Sequence, residues 1–179
     1  TVAYSYIGPE LTHPIYTNGA IGWAKNHLQQ TADSLNTALA GIDGAAYCSV
    51  NKAVVTQSSA AIPVVPLYIA ILFKIMQEKG LHEDCIEQMY RLFCGQLYAN
   101  NKPEVDSVRR LRLDDWEMRD DVQQQVAVAW DQVTSDNVGQ LADLQAYTDG
   151  FLQLFGFGMD AVDYDADVDP AVAIPSIET

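Results

Sequence analysis

Six apolar residues, Ile21, Ala24, Leu28, Ala32, Leu35 and Leu39, recur in steps of three, four, four, three and four. That period draws one stripe along a helix and fits no strand. Asn18 stands where a side chain can cap the helix, and Gly41 where the chain can leave it. On either side lie short runs rich in β-formers, TVAYSYI at 1–7 and AAYCSVN at 45–51, which predict strands. A strand, a long helix and a strand make a parallel pair with a right-handed crossover. Parallel sheets are covered on both faces, and two strands do not make a stable one. The sequence therefore predicts a helix-rich α/β fold, part of a doubly wound, Rossmann-like parallel sheet. It expects the remaining strands from outside this chain, which opens on Thr1 and reads as a fragment.

Gly8 and Pro9 end the first strand, and residues 9–16 read as a loop. A buried helix is predicted over 64–79, with Pro66 in its first turn and Gly80 as its stop. Another covers 82–94, with Ile86, Met89, Tyr90 and Phe93 inward. An extended segment spans Val108 to Leu113. Asp114 or Asp115 caps a helix reaching Val133, with a stripe of Val122, Val126, Ala129, Trp130 and Val133. Thr134 or Ser135 opens further helix, and Asp149-Gly150 breaks it before Phe151. Tyr4, Tyr47, Tyr68 and Tyr90 are expected in the core or at its boundary. Residues 1–159 form one α/β unit and residues 160–179 an acidic tail.

The formal charge of −14 argues against nucleic acid as a partner. Phosphate backbones are bound by clustered Lys and Arg, and the one basic cluster is Arg109-Arg110 with Arg112. Three cysteines, Cys48, Cys85 and Cys94, lack a paired framework, which predicts reduced thiols and a cytoplasmic location. His82 and Cys85 lie three apart without further ligands, so no metal site is expected. The most apolar stretch, Ala60 to Met76, holds Pro63, Pro66 and Lys74. It falls short of the roughly 20 apolar residues of a spanning helix, so no stable membrane insertion is expected. Asp163, Asp165, Asp167 and Asp169 imitate the start of a calcium loop. The sixth position is Val168 and the twelfth Ile174, where such a loop requires Gly and Glu.

A phenol and an ammonium, Tyr16 and Lys25, flank the start of the first long helix with eight residues between them. Each helical residue advances about 100°, so nine steps turn about 900° and leave the pair on opposite sides of one straight helix. They can share a site only if Tyr16 lies in the loop or on a turn with a different path. Asn18-Gly19 supplies the break. Tyr6 closes the first strand and Val54-Val55-Thr56 follows the second, at carboxyl ends where open α/β sheets gather ligands. Read alone, Tyr16 and Lys25 are a packing tyrosine and a surface lysine, Tyr6 is equally a core aromatic, and Val54-Val55-Thr56 can be an ordinary strand exit. His13 reads as a solvent-facing loop residue.

The text from Ser5 to Lys25, with Tyr16-x8-Lys25, resembles the V-type enoyl-acyl-carrier-protein reductases and the related trans-2-enoyl-CoA reductases. Segments 49–70 (SVNKAVVTQSSAAIPVVPLYIA), 86–93 (IEQMYRLF), 111–122 (LRLDDWEMRDDV) and 155–169 (FGFGMDAVDYDADVD) are similar to that family as well. The resemblance thus covers nearly the whole chain, as the C-terminal half of such an enzyme. It implies NADH-dependent reduction of the trans-2 double bond of an enoyl thioester, carried on acyl carrier protein or coenzyme A, in fatty acid synthesis. It implies that Tyr16 donates to the thioester oxygen, that Lys25 holds the nicotinamide ribose, that Val54, Val55 and Thr56 hold the nicotinamide end, and that Tyr6 touches substrate. The complete enzyme is expected to be a monomer, its N-terminal half this chain's partner. No Gly-rich phosphate loop stands between a strand and a helix in this sequence, so the chain alone is expected to be inactive. The competing readings are a short-chain-type carbonyl or alcohol oxidoreductase with the same Tyr and Lys chemistry, and a helical interaction module that keeps only the scaffold.

Overall fold

In the computed structural model, which describes residues 1–99, 102–171 and 173, three strands lie side by side. They are β1 (Val2–Ser5), β2 (Tyr47–Val50) and β3 (Arg110–Arg112), in the order β1-β2-β3 and all parallel. Val2 stands opposite Tyr47 and Ser5 opposite Val50, while Cys48 faces Arg110 and Val50 faces Arg112. The strand–helix–strand unit and its parallel sense agree with the sequence. Each strand is shorter than its β-rich run.

The segment expected as a loop at 9–16 is instead ordered. A 3₁₀ turn at Glu10–Thr12 leads into a short helix, α1 (His13–Tyr16). The long helix α2 runs from Ala20 to Leu39. Its N-cap is Gly19, without a side-chain cap from Asn18. The left-handed residue after it is Asp43 (φ 53°), not Gly41.

The face of α2 also differs from the predicted stripe. Gly22 and Ala32 are buried and Lys25, Gln29, Asn36 and Leu39 half-buried, while Ile21, Ala24 and Leu35 are exposed. Leu28, Ala32 and Leu39 of the predicted stripe do lie inward, and the rest of the inner face is made by residues with polar partners. Lys25 donates to the Tyr6 carbonyl. Gln29 donates to the Val108 carbonyl at 3.1 Å. Asn36 donates to the Ala46 carbonyl at 2.6 Å and accepts from the Ala46 amide at 2.9 Å. Apolar periodicity finds a helix but misplaces part of its inner face when amides and an ammonium do the docking.

After α3 (Gln57–Ala61), the core is built round α4 (Val65–Glu78). Tyr68, Ile69, Ala70, Ile71, Leu72 and Met76 are all within 2% of full burial. A helix apolar on every side must be packed on every side, and α4 is flanked by α6 (Asp120–Gln132) and α8 (Leu144–Gln153), with α7 (Val138–Leu141) between these two in sequence. Gly80 (φ 66°) ends it as expected. On α6, Val122, Val126 and Ala129 are buried and Trp130 packs on the core, as the stripe predicts.

Other expectations fail locally. The helix at 82–94 is α5 (Cys85–Tyr90), continued by wider π-helical turns over Arg91–Leu97. Its buried residues are Gln88 and Leu92, while Ile86 and Tyr90 are exposed. Tyr4 is exposed too, whereas Tyr68 is core. Asp114 does not cap α6; it is buried and accepts both Arg112 donors at 2.7 Å. Helix α8 runs through Asp149-Gly150 because its N-cap Asp143 is strong and Gly150 lies against Val55. His13 is half-buried in α1, its ring nitrogen 3.2 Å from the Gly8 carbonyl. The described tail residues 160–171 and 173 are exposed, and the rest of the predicted tail, including Ile174, lies outside the described residues. Among the described residues no helix is long and apolar enough to cross a membrane.

Gly22 sets how closely α2 approaches the turn before it. A Cβ there would collide with the Thr17 backbone carbonyl, which cannot swing aside as a side chain would. Gly22→Ala should therefore destabilise the chain by about 1–3 kcal/mol, the usual cost of overpacking. Urea unfolding of the two proteins measures this, and an unchanged midpoint contradicts the close approach.

Candidate functional site

The carboxyl end of β1 leads through Tyr6 and Ile7 to Gly8, which holds φ 72°. Any side chain at Gly8 would strike Thr12 Oγ1 and the Tyr6 hydroxyl, so glycine keeps the turn tight beneath the Tyr6 ring. Tyr16 is the last residue of α1, and Lys25 lies on α2 beyond the break at 17–19. The two helices point the pair at one another. The Lys25 Nζ is 4.6 Å from the centroid of the Tyr16 ring and 5.4 Å from that of Tyr6. The Tyr6 and Tyr16 rings meet edge to face, with centroids 4.8 Å apart and planes at 81°. The structure thus brings Tyr6, Tyr16 and Lys25 together, through the broken path that their spacing requires. They open on a cavity of about 190 Å³, also lined by Ser5, Cys48 and Arg110.

Electrostatics separate the three roles. Burial lowers the Lys25 pKa to about 8, with the nearby Cys48 opposing the shift. One ammonium proton is engaged by the Tyr6 carbonyl, leaving two further donors. Burial first, and then the charge of Glu117, raise the Tyr16 pKa, so its hydroxyl keeps its proton at neutral pH. Burial and Glu117 raise Tyr6 further, well above the usual phenol. The Tyr6 hydroxyl donates to Glu117 Oε1 at 2.8 Å. Tyr6 offers the cavity its ring, while its proton is committed elsewhere.

Val54, Val55 and Thr56 leave the carboxyl end of β2 and run into α3. Thr56 is the N-cap: its Oγ1 accepts from the Ser59 amide at 3.0 Å, and its own amide donates to Ser59 Oγ at 2.8 Å. Ser59 Oγ also donates to the Val54 carbonyl at 3.2 Å. The Val55 amide and carbonyl have no hydrogen-bond partner among the described residues. An adjacent free donor and acceptor match the needs of a carboxamide such as that of a nicotinamide. Behind them lies a second cavity of about 640 Å³, lined by Val54, Val55, Phe73, His82, Leu154 and Met159 among others.

The residue that the sequence did not reveal is Glu117. It is fully buried, yet it sits in an acidic run, LDDWE, that reads as surface. Its Oε1 accepts from Tyr6 and, at 2.6 Å, from the Tyr68 hydroxyl. Its Oε2 accepts from the Ala53 amide at 2.7 Å. Burial raises its pKa; the Tyr68, Ala53 and Tyr6 donors and the charge of Lys52 oppose that rise. Lys52 is itself buried, donating to the Ala53 carbonyl at 3.0 Å, and burial lowers its pKa. Among the described residues no cluster of three or more His, Cys, Asp or Glu gathers as a metal site.

A parallel α/β layer with polar groups gathered at its strand ends is an architecture that binds nucleotides and other ligands there. Within that class the chain belongs to the trans-2-enoyl-CoA reductase family, whose catalytic region matches residues 1–98. A second family, described as the enoyl reductase FAD-binding domain, matches residues 105–168. An enoyl-acyl-carrier-protein reductase (NADH) of Psychromonas ingrahamii is 58% identical over 174 residues, 96% of this chain and 44% of that protein. One from Coxiella burnetii is 55% identical over 178 residues, 99% of this chain and 44% of its own length. The chain thus spans under half the length of these curated relatives. The crystal structure of Clostridium acetobutulicum trans-2-enoyl-CoA reductase in complex with NAD superposes with a TM-score of 0.89 at 47% identity, over 94% of this chain and 44% of that one. The Treponema denticola trans-2-enoyl-CoA reductase in complex with NAD gives 0.87 at 48%, over 94% and 42%.

In the stretch matched to a flavin domain three of the four arginines are paired: Arg110 is held by Asp106 at 2.8 Å, Arg112 by Asp114 at 2.7 Å and Arg119 by Asp121 at 2.8 Å, while Arg109 is exposed. The first turn of α6 carries Asp120 and Asp121, which repel an anion from that helix end.

The depressed Lys25 pKa has a testable sign. The fold disfavours the charged form, so between about pH 8 and 10.5 the unfolded chain holds more protons than the folded one. The destabilising contribution of Lys25 is full below pH 8 and fades as pH rises through that window. NMR titration of the Lys25 side chain should give a midpoint near 8. A midpoint at the ordinary lysine value would show a solvated ammonium, not one turned into the site.

Proposed function

We propose that this chain carries the reacting-end residues of an NADH-dependent enoyl-thioester reductase, whose remaining strands and phosphate-binding loop come from the rest of a longer polypeptide. One observation supports this above others: the Lys25 ammonium stands 4.6 Å from the Tyr16 ring across a break between two helices, beside the carboxyl end of a parallel strand. The free Val55 amide and carbonyl suit the nicotinamide carboxamide. Bound NADH would supply a hydride to the β-carbon of the enoyl thioester.

This chain's residues then manage the charge that develops. Reduction at the β-carbon drives negative charge onto the thioester oxygen, as an enolate. The Tyr16 hydroxyl, still protonated at neutral pH, donates to that oxygen and lowers the barrier as charge builds. The Lys25 ammonium has two donors free for the nicotinamide ribose hydroxyls, and its charge favours the phenolate form of Tyr16 at the moment of transfer. Tyr6 acts as a wall, its ring fixing the plane against which Tyr16 stands. The larger cavity, floored by Val54, Val55 and Phe73, is suited to the acyl chain. The thioester is the chemistry shared by acyl-carrier-protein and coenzyme A substrates. We assign the cytoplasm to this protein because Cys48, Cys85 and Cys94 are all unpaired, as a reducing compartment keeps them.

In the complete polypeptide, Tyr16→Phe should lower kcat by about 10²–10³-fold, the usual size of a lost general-acid or oxyanion contact, with the KM for NADH nearly unchanged. Consumption of NADH with crotonyl thioester measures this. Formation of the saturated acyl thioester separates the reaction from carbonyl reduction, which yields a hydroxyacyl product. A Phe variant within about twofold of the parent removes Tyr16 from the chemistry.

Lys25→Ala should raise the KM for NADH and lower kcat together, with Lys25→Arg a poor replacement, since a planar guanidinium places its donors differently. The 179-residue chain alone should show no turnover with NADH and crotonyl thioester; measurable reduction by it would refute the need for a second half.

A further inference from the structure

Three elements that position the site converge on one carboxylate. Glu117 holds the Tyr6 hydroxyl at 2.8 Å, the Tyr68 hydroxyl of α4 at 2.6 Å and the Ala53 amide at 2.7 Å. Ala53 is the residue before Val54-Val55-Thr56, and Tyr6 is the ring on which the Tyr16 edge rests. The Glu117 backbone is fixed in turn. Its carbonyl accepts from Gln123 Nε2 at 2.7 Å. Arg91 lies over the Trp116 ring at 4.3 Å, donates to the Leu113 carbonyl at 2.6 Å and pairs with buried Glu83 at 2.7 Å. A fully buried charge with no direct cation on it is costly unless strong donors satisfy it. Here each donor belongs to a different part of the site's frame.

We propose that Glu117 is the positioning residue of the reductase site, one carboxylate setting both the Tyr6 ring behind Tyr16 and the strand exit that presents Val55. This inference rests on the reading of Tyr16 and Lys25 given above. It also gives the contact implied for Tyr6 a form: a phenol that donates its proton to Glu117 meets substrate through its ring and supports Tyr16. The neighbours that face Glu117 are Tyr6, Tyr68, Ala53, Gln123 and, more distantly, Lys52. Among the described residues, Lys52 is the cation whose charge opposes the rise of its pKa. Glu117 reaches Tyr16 in two ways: through the Tyr6 ring, and through its charge, which helps to hold the Tyr16 hydroxyl in its protonated form.

The test uses the complete polypeptide, with kcat and the KM for NADH measured for Glu117→Gln, Tyr6→Phe and Tyr68→Phe, and the Tyr16 phenol titrated by NMR in each. Glu117→Gln keeps the volume and removes the charge. It should lower kcat about 10- to 100-fold, the scale of a displaced reacting group. It should also move the Tyr16 titration to lower pH, because Tyr16 loses the charge that held its proton. Tyr6→Phe cuts the link to the site ring while Glu117 keeps Tyr68 and Ala53. It should lower kcat with the Tyr16 titration in place, and it stands as the decisive variant if Glu117→Gln does not fold. Tyr68→Phe should fold and leave the Tyr16 titration in place. Glu117→Gln with kcat within about twofold and an unmoved Tyr16 titration overturns the proposal, as does an unimpaired Tyr6→Phe. An inactive parent, or an unimpaired Tyr16→Phe, defeats the reductase reading itself and is thereby told apart.

Discussion

A carboxylate taken out of water must be given donors, and this constraint organises the whole site. Glu117 has no solvent to turn to, so the Tyr6 hydroxyl, the Tyr68 hydroxyl and the Ala53 amide are all drawn to it. Each tie fixes something that apolar packing alone leaves loose. Packing of α4 against α6 and α8 fills volume without setting the angle of a phenol ring or the height of a strand exit. Hydrogen bonds set both, because they fail within a fraction of an ångström or a few tens of degrees. The buried Lys52 beside Ala53 shows the same logic on the cationic side: its ammonium is spent on a backbone carbonyl, which stiffens the chain just before Val54.

The Tyr16 and Lys25 pair depends on a different constraint, the geometry of a helix. Two groups nine positions apart cannot face one another on a continuous helix. The chain resolves this by ending α1 at Tyr16 and starting α2 at Ala20. Gly22 then lets the second helix sit against the carbonyl of Thr17. The same α2 is docked through Lys25, Gln29 and Asn36, so the lysine of the candidate site also holds its own helix in place.

Much of this was legible in the sequence, and the parts that were not share a cause. The parallel strand–helix–strand unit followed from the period of α2 and the β-rich runs beside it. The broken path between Tyr16 and Lys25 followed from counting degrees. The core helix α4 was visible as an apolar run bounded by Pro66 and Gly80. The inner face of α2 was legible only at Leu28, Ala32 and Leu39, because its other contacts are polar. Asp114 and Glu117 were not, because an acidic residue held inside by phenols and a guanidinium is spelled with the same letters as one at the surface. The continuous α8 was missed because Gly150 was read as a break, when the helix capped by Asp143 runs on through it against Val55.

The sheet order has a consequence for how such a chain comes into being. β1 meets β2 and β2 meets β3 only after long stretches of chain have been closed, Val2 with Tyr47 and Cys48 with Arg110. Such closures cost entropy before any contact rewards them, and parallel pairings of this kind form slowly. Until they form, β1 and β3 carry unpaired backbone edges. The interval between synthesis and closure is therefore when this polypeptide is most prone to pair with the wrong strand.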